Sequence, residues 1–153
     1  MKKIIIAFVL MSFPLLCFAE NATIATNTQE NNREEIYIPE NLDECFSELG
    51  KVIKKEDLEA FKNKKEDTAV SDAHFGIGVW IRNNWGLWAN SPLVKYFNGL
   101  GIFHPDDMSS IILTSFHRFL NNKDIGLEKQ IKYYRDYWDK EKVKEPTRPC
   151  IKE

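Results

Sequence analysis

Beyond residue 19 the chain lacks any apolar run approaching the roughly 20 residues that a membrane-spanning helix needs. Charge of one sign is scarce too. Twenty-one lysines and arginines face 23 acids, a formal net charge of −2. No basic cluster marks a face for nucleic acid, whose binders concentrate lysine and arginine on one side. Mixed signs, as in residues 51–67, read as a solvated surface. No internal repeat is visible, and no segment alternates apolar and polar residues with a period of two, which argues against a sheet protein. Cysteine is rare, with only Cys17, Cys45 and Cys150.

The N-terminus has three parts. Lys2 and Lys3 precede an apolar run from Ile4 to Leu16, and Cys17-Phe18-Ala19 places small residues at −3 and −1 of a cleavage site before Glu20. This is the layout of a secretory signal peptide over residues 1–19. Leu16 before Cys17 is too large for a lipid-attachment box. Cleavage removes two lysines and no acid, taking the formal charge to −4. The expected location is the periplasm or the outside of the cell, without membrane attachment after cleavage. Residues 20–35 are polar, with almost nothing to bury, and are expected to form a disordered linker. Cys45 and Cys150 then reach a compartment that permits disulfides. A Cys45–Cys150 bridge is one outcome; a buried Cys45 and a free tail thiol is the other.

From residue 36 the chain reads as one all-α domain of about five to six helices, extending to residue 142, with a tail over 143–153. Leu42, Cys45, Phe46, Leu49 and Ile53 follow a helical rhythm. Leu58 and Phe61 anchor a short second helix ending before Thr68. A third, capped by Ser71 or Asp72, would place Phe75, Val79 and Arg82 on one side. Ser91-Pro92 starts a fourth, which stops at Gly99 or Gly101. His104-Pro105-Asp106-Asp107 opens a fifth, with acids where the helix dipole favours them. The sixth runs from about Leu127 to Lys142. Gly76 and Gly78 within a helix each cost about 1 kcal/mol against alanine, so another helix or a tryptophan is expected to pack over them.

The block from His74 to Trp88, HFGIGVWIRNNWGLW, together with YFNGLGIFHPDDMS over residues 96–109 and QIKYY over 130–134, resembles an uncharacterised family of small bacterial domains. The resemblance spans about Ile38 to Trp138. It implies one compact unit of unknown function and transfers no reaction.

Arg82, Asn83 and Asn84 close one helix, while His104, Asp106 and Asp107 open another. A bidentate pair between Arg82 and Asp106 or Asp107 would satisfy these helix ends, with the asparagines on carbonyls around Trp85 and Trp88. In the functional alternative, Arg82, Asn83, Asn84, Trp85, Trp88, His104, Asp106 and Asp107 form a binding patch. His74, His104, Asp106 and Asp107 would then be the weak candidates for acid–base or metal chemistry. His117 completes the possible ligands, yet no pair has the spacing of a helical zinc motif, and His117 reads as a surface residue. No metal and no cofactor are expected. Ser109, Ser110 and Ser115 lack a nucleophile elbow. Trp80, Trp85, Trp88, Tyr96, Phe97 and Phe103 crowd one window, where Trp80 and Trp85 suit the core and Trp88 suits contact with a protein or carbohydrate. The expected function is a non-enzymatic binding module whose partner is another envelope protein. A small hydrolase or metal-dependent enzyme is the alternative.

Overall fold

The computed structural model describes residues 36–140. The expected signal peptide, the linker, and the tail with Cys150 lie outside the described residues. Among the described residues the chain forms seven helices and no strand: α1 (Leu42–Val52), α2 (Lys55–Asn63), α3 (Glu66–His74), α4 (Ile77–Asn84), α5 (Pro92–Gly99), α6 (Pro105–Leu120) and α7 (Leu127–Lys140).

Local chemistry sets most of the helix starts. At α1 the Asn41 Oδ1 accepts from the Glu44 N–H, and the Glu44 carboxylate accepts in return from the Glu40 N–H. The Asn41 cap satisfies a donor that the helix N-terminus leaves open, and the Glu44 carboxylate ties down the residue before it. Ser91 caps α5 by accepting from Val94 N–H, with Pro92 in the first turn. His104 caps α6 through its ring, ahead of Pro105. Gly101, at φ +79°, makes the left-handed step between these two helices that a β-carbon would oppose.

The core gathers on α6, which packs against α1, α2, α3, α4 and α7. Met108, Ile111, Ile112, Leu113 and Phe116 are buried along it. Leu42, Cys45, Phe46 and Leu49 of α1 meet them, with Ile81, Trp85, Leu87, Leu93 and Phe97 closing the cluster. Each such side chain contributes about 1.5–3 kcal/mol by leaving water. Cys45 is fully buried, and burial pushes its thiol up, away from the reactive thiolate.

The structure corrects several expectations. Among the described residues there are seven helices, where about five to six were expected. Extended backbone at Lys64 and Lys65 splits the charged stretch into α2 and α3. The helix expected to run through Phe75 breaks at Gly76, whose φ of −105° and ψ of −97° turn the chain into α4. Phe75 consequently stands in solvent, 83% exposed, whereas Arg82 is buried, so the two do not share a face. Trp80 is half-buried rather than a full core member, although Trp85 is wholly inside. His117, expected on the surface, is buried because α2 lies over it: Phe61 meets its ring edge-on at 5.4 Å.

Candidate functional site

The break at Gly76 brings the end of α3 beside α4, and the start of α6 packs against both. Arg82 sits at this junction, 6% exposed, and its guanidinium reaches three groups on α3 and α6. Nε faces the Asp106 Oδ1 at 3.2 Å, Nη1 donates to the Ser109 Oγ at 2.8 Å, and Nη2 donates to the His74 carbonyl at 3.4 Å. Ser109 passes the chain on by donating to the Asp106 carbonyl. The pairing of Arg82 with Asp106 is therefore present, but as one contact of a fan and not as a bidentate fork. Gly78 makes room for it. A β-carbon there would lie 3.2 Å from Nη1, 3.3 Å from the Ala73 carbonyl and 3.4 Å from Leu113. Helices α3 and α6, not a tryptophan, pack over this glycine.

Two histidines flank the same carboxylate. His74 Nε2 lies 3.8 Å from Asp106 Oδ1, too far for a hydrogen bond. His104 Nδ1 lies 3.5 Å from Oδ2, yet it also accepts from the Asp106 N–H at 3.2 Å. An accepting nitrogen uses its lone pair, so while Nδ1 caps the helix it has no hydrogen to give the Asp106 Oδ2. Asp107 turns away towards α7, where Trp138 Nε1 donates to its Oδ2 at 2.7 Å. Burial pushes the Asp107 carboxyl up, partly offset by that indole. The Trp138 ring packs on His104 at 5.6 Å.

Of the expected patch, the fold thus unites Arg82, His104 and Asp106 with His74. It does not gather the rest. Asn83 is exposed and Asn84 donates back to the Trp80 carbonyl within its own helix. Trp85 is inside the core, where no partner can touch it, and Trp88 is 48% exposed on the following turn. Among the described residues, no three His, Cys, Asp or Glu side chains are placed to hold a metal ion. Among the described residues, no helix is long and apolar enough to cross a membrane.

Residues 38–120 match the family described as Domain of unknown function (DUF6794). The chain belongs to this family. The matched stretch covers α1 to α6 and ends before α7, short of the Trp138 boundary expected from the resemblance. No curated protein and no solved structure matches the chain.

Sequence reasoning missed what flanks α3. On one side, an open groove of about 610 Å³ runs between α3, α6 and α7, past Val70, His74, Ser110, Thr114 and Tyr134. On the other, a second groove of about 610 Å³ lies between α2, α3 and α4, with Ala69, Ala73 and Gly76 as its floor and Phe61, Ile77 and Trp80 as walls. A third omission is the ion pair at the start of α3, where Arg118 grips both oxygens of Glu66 at 2.7–3.1 Å. The Arg118 guanidinium holds the Glu66 carboxyl below the usual carboxylate range. No linear pattern reveals these features, since the partners lie some fifty residues apart.

Proposed function

We propose that the chain is an exported, non-enzymatic module of the cell envelope that binds another envelope protein. The recognition element is an amphipathic helix of that partner, seated in the groove between α2, α3 and α4. The observation that carries this reading is the groove's floor of small residues, Ala69, Ala73 and Gly76, under apolar walls. Small side chains let a second helix axis approach closely, and apolar walls reward it for leaving water. Helix α2, which forms one wall, has no buried residue of its own. The charged residues lining the groove are balanced, Lys54 and Lys64 with Asp57 and Asp72, so the apolar floor and walls rather than charge carry the fit. Export rests on the tripartite N-terminus, with Glu20 as the first residue of the mature chain.

The test is site-specific photo-crosslinking in cells. A photoreactive side chain replaces Ala73 in the groove or Asn83 on the exposed side of α4. Adducts at 73 but not at 83, mapping to an amphipathic helix of another envelope protein, support the reading. Absence of adducts at 73, or equal labelling at both positions, contradicts it. Mass spectrometry of the envelope fraction checks export, with an N-terminus at Glu20 expected.

The convergence of His74, His104 and Asp106 favours a second reading, a small hydrolase or metal-dependent enzyme that also uses Asp107. Against it stand Asp106 engaged by Arg82, the His104 Nδ1 engaged in capping, and Asp107 engaged by Trp138. Stoichiometric metal in the purified protein, or a hydrolysis abolished by His74→Ala, would reverse that order.

A further inference from the structure

The groove between α3, α6 and α7 has a different chemistry from its neighbour. Ser110 and Thr114 stand four residues apart on α6 and place two hydroxyls along it, beside the phenol of Tyr134. Two flat rings border it, Phe75 at 83% exposure and Tyr133 at 66%. At one end Glu66 and Arg118 neutralise each other, and Asp67 and Lys129 add one charge of each sign. Phe75 adds little to the core: its ring meets His74 edge-on at 4.9 Å and otherwise faces water.

We propose that this groove binds a neutral oligosaccharide. A sugar ring presents apolar C–H faces and a belt of hydroxyls. It therefore needs aromatic faces to stack on, whose negative quadrupole attracts polarised C–H groups, and short polar side chains that both donate and accept. Phe75 and Tyr133 supply the first; Ser110, Thr114 and Tyr134 supply the second. Balanced charge suits a ligand without charge. The volume falls within the roughly 300–1,000 Å³ of ligand pockets. An extended peptide is the weaker occupant, because its main chain seeks an open sheet edge. These walls are helices, whose backbone groups are already bonded within each helix. The proposal does not depend on the helix-docking reading, which concerns the opposite flank of α3.

The experiment titrates the mature chain with neutral tetrasaccharides of glucose and of N-acetylglucosamine, followed by calorimetry and intrinsic fluorescence. At least one sugar is expected to bind. Phe75→Ala and Tyr133→Ala, both at exposed positions and checked for unchanged melting, each weaken it at least about tenfold. Thr114→Val weakens it several-fold, and Trp88→Ala, outside the groove, leaves it unchanged. Absence of binding by either sugar up to about 10 mM overturns the proposal. Binding insensitive to Phe75→Ala and Tyr133→Ala overturns it as well. So does a proline-rich peptide that binds, with loss in the same variants, where neither sugar does.

Discussion

Arg82 directs its donors to three groups on two other helices, α3 and α6, and a planar fork is what makes that reach possible. Lysine offers one ammonium on a flexible stem and cannot meet Asp106, Ser109 and the His74 carbonyl together. Arg82→Lys should therefore cost about 2–3 kcal/mol, read as a lower midpoint in urea denaturation. The same geometry inverts the usual effect of glycine. Gly50, in α1, has nothing within 4 Å of where a β-carbon would stand, so Gly50→Ala should stabilise by about 0.5–1 kcal/mol through helix propensity. At Gly78 the new methyl meets a guanidinium fixed by three contacts and a backbone carbonyl. Gly78→Ala should lose about 1 kcal/mol despite the propensity gain. Opposite shifts in the two melting temperatures check the pair.

At the scale of elements, α3 gives the core little of its own, although Val70 and Ala73 pack against it. Only Ala69 of its nine residues is buried. Polar contacts hold its two ends instead, Glu66 to Arg118 at the start and the His74 carbonyl to Arg82 at the finish. The first contact makes stability depend on pH. Unfolded, Glu66 takes up a proton near pH 4.3. Folded, Arg118 keeps it ionised to lower pH. The stabilisation is therefore complete above the unfolded value and is lost as pH falls through the folded one. Glu66→Gln should cost about 1–2 kcal/mol at pH 7 and progressively less as the solution is acidified below the unfolded value, which denaturation across an acid pH series would show. Asp107 works in the opposite sense. Its carboxyl is raised by burial, so its share of stability is greatest in acid and falls as pH rises through the raised value.

For the molecule as a whole, the legible parts of the fold were those written in neighbouring residues. Ser91-Pro92 and His104-Pro105 mark helix starts by their capping chemistry, and Cys45 with Leu49 marks a buried face by spacing. The contact of Arg82 with Asp106 was also within reach, because both close or open helices that need polar partners. What stayed hidden depends on tertiary placement. The extended step at Lys64 and Lys65 is flanked by charges on both sides, so hydropathy has no edge there. His117 looks like a surface residue until α2 covers it. Both grooves exist only because α3 stands between α2 and α7, with Ala69 and Ala73 turned one way and Val70 and His74 the other. The central claim is that two arginines hold this shared wall in place. Native-state hydrogen exchange resolved to α3 tests it most directly. In Arg82→Lys, α3 amides should exchange at least about tenfold faster while those around Ile111–Leu113 on α6 keep their protection. Unchanged exchange in α3, or an equal rise in both helices, would contradict the account.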